Sequence, residues 1–255
     1  MNDLARQLWE ARRDGTLLAR DRLVAPADAV EAYAVQAEAV RLSGLPTRGF
    51  KVGSTSLEAQ RKLGTTEPGS APLLAPWVHE SPARVALIAG HNAELEGEIA
   101  FRLGHDLPPR GAPYTYAEVA EAIDAAAGAI EVVGSRISGG LAGIGRFLST
   151  ADFGVNIALV VGPWRGDWRT LDLQALSVSM TIDGSPAGQG TGARALGDPM
   201  NVMVWLANQQ SARGRGLLAG EMVSTGTCTG LDPVHAGQTV RADFGGLGAV
   251  AASFE

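Results

Sequence analysis

Between His91 and Phe101 the chain reads His-Asn-Ala-Glu-Leu-Glu-Gly-Glu-Ile-Ala-Phe, which sets Glu94, Glu96 and Glu98 two residues apart. A spacing of two is the repeat of a β-strand, whose successive side chains point to opposite faces. One face of such a strand carries three carboxylates. Like charges on one face repel. A hard cation with oxygen ligands offsets that repulsion. The alternative is a solvated face of an antiparallel sheet, where polar and apolar residues also alternate. The pattern alone leaves both readings open.

Other segments add chemistry of the same kind. Glu131 stands in the apolar run Ala129-Ile-Glu-Val-Val. An acid in a buried strand needs a partner; Arg136, Arg102 or a metal could each serve. Lys51 lies in Gly49-Phe-Lys-Val-Gly. It is either a site lysine matched to an anion or an edge lysine reaching for water. The segment Ser224-Thr-Gly-Thr-Cys-Thr-Gly offers backbone donors and hydroxyls suited to an anion, or a tight turn between strands. It lacks the Gly-Lys-Ser/Thr ending of a P-loop. His79, His91, His105 and His235 share no metal-ligand spacing, and Gly-x-Ser-x-Gly is absent. Cys228 has no evident base beside it, so a cysteine or serine nucleophile is not expected.

The acids and the lysine need a scaffold, and composition bounds it. The chain has 255 residues, 45% of them hydrophobic, enough for one large domain or one domain with an appendage. Its 33 glycines suggest many tight turns and a β-rich fold. A formal charge of −6 excludes the basic face that nucleic acid requires. The lone cysteine excludes an intrachain disulfide and points to a reducing compartment, expected to be the cytoplasm. No apolar run is long enough to span a bilayer.

Periodicity predicts helices over Asp3–Arg13, from Pro26 to about Leu42, over Ser56–Leu63, over Tyr116–Ala127 with Gly128 as its C-cap, and over Pro199–Ser211. Strands are expected at Arg48–Gly53, Arg84–Ile88, Leu95–Leu103, Ala129–Val133, Ile157–Val161, Leu176–Ile182 and Thr239–Phe244, with loop and a short strand in Leu73–Pro82. The class is α+β. The expected division is a helical N-terminal part, residues 1–80, and a β-rich catalytic core, residues 81–255.

From Arg48 onward, six segments together resemble the 2-keto-4-pentenoate hydratase and 4-oxalocrotonate decarboxylase group of the fumarylacetoacetate hydrolase superfamily. They are Gly49-Phe-Lys-Val-Gly-Ser-Thr, Leu95-Glu-Gly-Glu-Ile-Ala-Phe, Ile130-Glu-Val-Val-Gly-Ser-Arg, the stretch from Gly192 to Asn208, Leu218-Ala-Gly-Glu-Met-Val-Ser-Thr-Gly-Thr, and Arg241-Ala-Asp-Phe-Gly-Gly-Leu-Gly. The resemblance implies a β-rich fumarylacetoacetate-hydrolase-like core, Mg²⁺ or Mn²⁺ on Glu96, Glu98 and Glu131, and Lys51 in the active site. It also implies a homo-oligomer, one able to associate with a related hydratase or decarboxylase. Ser135, Arg136, Asp152 and Thr225 fall in or beside the matching segments and are expected to touch substrate. Three departures stand out. Gly69 occupies the place of the hydratases' loop acid, Glu94 replaces an apolar residue, and Asp152-Phe-Gly-Val-Asn replaces Asp-Asn-Ala-Ser. Glu94 or Glu67 is therefore expected to supply the missing acid/base.

The implied activity is a metal-dependent hydro-lyase of aromatic catabolism. It would hydrate a 2-hydroxy-2,4-dienoate, through the 2-oxo-enoate, to a 4-hydroxy-2-oxo acid. A decarboxylase or C–C bond hydrolase on a related 2-oxo acid is the alternative, and a non-catalytic partner subunit is a third, of another class.

Overall fold

The computed structural model describes residues 2–255. Its helices are α1 (Asn2–Asp14), α2 (Ala29–Ser43), α3 (Leu57–Leu63), α4 (Tyr116–Ala122), α5 (Arg146–Ala151) and α6 (Pro199–Ala212). Its strands are β1 (Thr47–Gly53), β2 (Gly69–Leu74), β3 (Val78–Glu80), β4 (Ala83–Val85), β5 (Glu94–Leu103), β6 (Ile123–Val133), β7 (Asn156–Val161), β8 (Ser177–Ile182), β9 (Ser185–Thr191), β10 (Met222–Thr227), β11 (Asp232–Pro233), β12 (Thr239–Asp243) and β13 (Ala249–Phe254).

The strand β5 alternates as its sequence predicts. Leu95, Ile99, Phe101 and Leu103 enter the main core with Val178, Met180, Val240 and Phe244. Glu94, Glu96, Glu98 and Ala100 turn to the other face. Two sheets clasp that core: a larger one in the order β2-β1-β10-β5-β6-β7-β3, with β11 also pairing β5, and a smaller one in the order β4-β13-β12-β8-β9. The acidic face of the larger sheet lies away from the smaller sheet. On that side α1, α2, α5 and the loop between β6 and β7 share a second core around Leu8, Val35, Leu148 and Phe153, next to Leu74 of β2.

Local signals set the helix ends. The Asp28 side chain accepts from Glu31 N–H and Gly44 closes α2 in the left-handed region; Ser56 caps α3, and Asp198 caps α6 with Pro199 in its first turn. One expectation fails. The helix predicted over Tyr116–Ala127 stops at Ala122, and Ile123–Val133 is a strand between β5 and β7. Gly128 is not a cap. It lies under the Phe244 ring, where a Cβ would stand 2.2 Å from Cδ2. Alanine's helix preference loses to a position that admits only small side chains between two layers. The segment Leu73–Pro82, expected as loop with a short strand, holds the short strand β3, and β4 is shorter than predicted. The sheet also crosses the expected boundary at residue 80, because β1 and β2 belong to the larger sheet.

Candidate metal centre

The register of β5 and β6 sets Glu96 directly opposite Glu131, with Glu98 two residues along β5. Each of the three glutamates offers a carboxylate oxygen within 4.8 Å of the others. Glu98 and Glu131 are fully buried. Glu98 accepts at Oε2 from the Ser224 hydroxyl and from Gly226 N–H (3.0 Å). Glu131 accepts at Oε1 from the Asn156 amide at 2.8 Å. The other two oxygens are also buried: Glu98 Oε1 has no hydrogen-bond partner, and Glu131 Oε2 has only Lys51. Lys51 Nζ stands 3.1 Å from Glu131 Oε2 as an ion pair, and donates to Gly154 O at 3.2 Å.

An unpaired buried acceptor costs about 1–3 kcal/mol, more when charged. One bare oxygen among three converging carboxylates that share a single lysine fits a hard divalent cation with oxygen ligands. The glycine-rich segment flagged for an anion does bind one, the protein's own Glu98. Gly226 has φ of +91°, and a Cβ there would lie 2.0 Å from Thr55 Oγ1, so the donor position is closed to other residues.

Electrostatics follow the crowding. Burial and then the charge on Glu131 push the Glu96 carboxyl up to about 8, and the same causes hold Glu98 well above the usual carboxylate range. Burial would lower the Lys51 ammonium, but Glu131, Glu96 and Glu98 outweigh it and raise its pKa. One cation among three acids leaves a net deficit of positive charge.

Above the cluster lies a cavity of about 690 Å³ lined by Lys51, Glu96 and Glu94, by the apolar side chains Ala59, Leu63, Leu141, Ile144 and Leu231, and by Thr150 and Arg146. Residues 64–255 match the fumarylacetoacetate (FAA) hydrolase C-terminal family. The chain belongs to the fumarylacetoacetate hydrolase family. Within it, this member falls in the 2-keto-4-pentenoate hydratase and 4-oxalocrotonate decarboxylase group. It is 33% identical to the 2-keto-4-pentenoate hydratase of Paraburkholderia xenovorans (strain LB400), over 99% of this chain and 94% of that one. It is 33% identical to the 2-hydroxyhexa-2,4-dienoate hydratase of Comamonas testosteroni, over 97% of this chain and 95% of that one. Its fold superposes with a TM-score of 0.89 on 4-oxalocrotonate decarboxylase from Pseudomonas putida G7, complexed with magnesium and adipate, at 26% identity over 100% of this chain and 97% of that one.

In this family member the sequence-predicted residues separate into two groups. Glu96, Glu98, Glu131 and Lys51 come together, and Glu94 reaches the cavity. Lys51 is no edge lysine: β1 runs between β2 and β10, and the residue is 4% exposed. Glu67 does not line the cavity. It is exposed and holds Arg146 at 3.1 Å. Ser135, Arg136, Asp152 and Thr225 also miss the cavity lining and are buried. Arg136 Nε donates to Asp152 Oδ1 at 2.6 Å, Ser135 Oγ donates to Asp152 Oδ2 at 2.9 Å, and Thr225 Oγ1 donates to Ile99 O at 2.7 Å. These hydrogen bonds run within the protein, and contact of the four residues with substrate stays an expectation. Arg102 pairs with Asp124 instead of Glu131.

Sequence reasoning missed Ser224 and Asn156 as the groups that pin the two buried glutamates. It also missed Arg12, which is buried against Asn156. A signal for Arg12 existed: it follows Leu8 by four residues on the apolar face of α1.

Proposed function

We propose that the protein is a Mg²⁺-dependent hydro-lyase that adds water to a 2-hydroxy-2,4-dienoate and yields a 4-hydroxy-2-oxo acid. The observation carrying this is the convergence of Glu96, Glu98 and Glu131, in which Glu98 Oε1 is buried without a partner and Glu131 Oε2 has only Lys51. The near-full-length likeness to the hydratases supplies the reaction. Glu96, Glu98 and Glu131 would hold the ion; Mn²⁺ satisfies the same oxygen donors. A bound divalent ion supplies a Lewis acid for negative charge on the 2-oxygen of an oxo acid.

The chain's own groups do the rest. Lys51, kept protonated by its three acidic neighbours, is matched to the substrate carboxylate and is the proton donor for C5 as the dienol loses its hydroxyl proton and becomes the 2-oxo-3-enoate. Water oxygen then bonds to C4, a proton goes to C3, and the water's own proton leaves to a base. Glu94 is suited to that role. It lines the cavity, and burial followed by the charge on Asp232 raises its carboxyl above the ordinary value, toward the range of a general base.

The rest of the cavity favours an uncharged tail. Its wall is largely apolar, and its two outer cations are already paired, Arg146 with Glu67 and Lys62 with Glu58. The likeness to a decarboxylase complexed with adipate favours a second reading, decarboxylation of an oxo-diacid with Arg146 released to the distal carboxylate. A homo-oligomer in a reducing cytoplasm belongs to this reading, with solution mass as its check; the lone thiol of Cys228 is buried.

The test follows the ultraviolet absorbance of 2-hydroxypenta-2,4-dienoate with the protein in Mg²⁺ and then in EDTA. Metal-dependent loss of the dienol signal with formation of the 4-hydroxy-2-oxo acid is expected. CO₂ release from an oxo-diacid, without hydration of the dienoate, would replace this reading with the second one.

A further inference from the structure

The two fully buried glutamates are each pinned on one oxygen, but by unlike means. Glu98 is held by its neighbouring strand, β10, through Ser224 and Gly226. Glu131 Oε1 is held by a single side chain, Asn156, at the first residue of β7, while its Oε2 meets Lys51. The Asn156 amide has a matched partner on each side. Its Nδ2 lies 2.8 Å from Glu131 Oε1 and 3.4 Å from Ala158 O, while Oδ1 lies 3.5 Å from Arg12 Nη2. A flipped amide would set its oxygen against a carboxylate and a carbonyl, and its NH₂ against a guanidinium.

Arg12 reaches this position from α1. Its Nη1 donates to Asn156 O at 2.5 Å and its Nη2 to Ile157 O at 3.1 Å. Trp77 and Phe153 sandwich the guanidinium, with ring centroids 4.2 and 4.9 Å away. Arg12 is 6% exposed and Asn156 2%. Arg136, not Arg12, holds the nearby carboxylate of Asp152. Burial therefore lowers the Arg12 pKa well below the usual guanidinium range. A guanidinium buried at such a cost is spent on fixing backbone carbonyls and one amide.

We propose that Asn156 is a positioning residue for Glu131, that Arg12 fixes the orientation of Asn156, and that the N-terminal helix is thereby part of the metal centre. With Oε1 tied to Asn156, Glu131 Oε2 is the oxygen turned toward Lys51 and the carboxylate cluster. This rests on the reading of that cluster as a divalent-cation site. Partners of this kind, one bond removed from the ion, typically change metal affinity by about 10–100-fold.

The experiment is calorimetric titration of Mg²⁺, and separately Mn²⁺, into EDTA-stripped full-length protein without substrate. It compares wild type, Asn156→Leu, Arg12→Met and the double variant, with melting temperature and circular dichroism measured alongside. Asn156→Leu should weaken Mg²⁺ binding by about 10–100-fold. Arg12→Met should weaken it several-fold, and the double variant should bind no more weakly than Asn156→Leu, because both act through one amide. If Asn156→Leu does not fold, Arg12→Met alone carries the test through its sign. Mere charge removal near a cation site would tighten Mg²⁺ binding, whereas loss of positioning weakens it. Unchanged Mg²⁺ affinity with a lowered melting temperature, or tighter binding by Arg12→Met, would overturn the proposal. Wild type that binds neither ion would overturn the metal-centre reading along with it, whereas Mg²⁺ binding without hydratase turnover would leave the proposal testable and sink only the reaction.

Discussion

Lys51 and Gly69 show how much rides on single positions. Lys51 is the resident cation of a cluster that carries three acids, and its ammonium faces the oxygen of Glu131 that is also offered to a metal. Replacing it by methionine removes a proton donor and a competitor for Glu131 at once. Turnover of Lys51→Met should fall by about 10²–10⁴-fold, while Mg²⁺ affinity holds or tightens. Steady-state kinetics set against calorimetry separate the two, and parallel loss of both would return Lys51 to a purely structural part. Gly69 lies directly across from Gly53, whose own Cβ position is 3.3 Å from Lys51 Nζ. A Cβ on Gly69 meets nothing closer than the Tyr33 hydroxyl at 3.7 Å. Gly69→Asp should therefore fold with a melting temperature within a few degrees of wild type, and a scanning fluorimetry trace broadened or shifted far down would contradict that. The residues visible in the sequence were those whose chemistry conflicts with their surroundings, acids and a lysine in apolar strands. Asn156 carries no such conflict, and only its contacts reveal it; Ser224 stood in a segment suited to an anion, but its partner Glu98 did not show.

At the scale of elements, β6 carries the lesson. Ala125-Ala-Ala-Gly reads as the end of a helix because alanine is the best helix former and glycine a common cap. The structure uses the same residues as a strand because Phe244 of the facing layer leaves no room for larger ones. The two readings differ in what an added methyl does. A C-cap in the helix reading would take alanine into the left-handed region at about 1–2 kcal/mol, whereas overpacking a core typically costs about 1–3 kcal/mol, occasionally more. Gly128→Ala should fall at or beyond the upper end of that range in urea unfolding, given the 2.2 Å approach to Phe244. A neutral effect would mean that Phe244 moves freely. The Glu94–Glu98 strand and the capped helices α2, α3 and α6 were legible because each carries its signal locally. The β5–β6 register that sets Glu131 opposite Glu96 is a pairing between segments and has no local signature.

For the whole molecule, the metal centre couples ion binding to folding, since its ligands come from two strands and are braced by two more, β7 and β10. Glu96 is raised from 4.5 to about 8 in the folded protein. Between those values the folded state binds more protons than the unfolded chain, so without metal this group makes stability fall as pH rises. His91 works in the opposite sense. Burial and then Arg136 lower it from 6.5 to about 4, and it makes stability fall as pH drops through that window. The two slopes oppose each other up to about 6.5, above which only the raised carboxyls of Glu96 and Glu98 act, so metal-free protein should melt lower at pH 8 than at pH 6.5. The gain in melting temperature from Mg²⁺ should grow toward pH 8, because binding there displaces less protonated carboxyl. Scanning fluorimetry in EDTA and in Mg²⁺ at pH 5, 6.5 and 8 reads both, and a Mg²⁺ gain that does not change with pH would exclude the carboxylates as the linked groups.

The sequence by itself determined the alternation that makes β5 a strand with an acidic face, the capped helices, and the residue types able to hold a hard cation, because each follows from local backbone geometry and side-chain chemistry. The tertiary structure decided which carboxylates meet, which oxygen stays bare, and which partners Arg136, Asp152, Ser135 and Thr225 hydrogen-bond within the protein. Those outcomes depend on strand register and on competition among distant groups for one another's hydrogen bonds, and neither is written in the order of residues along any single segment.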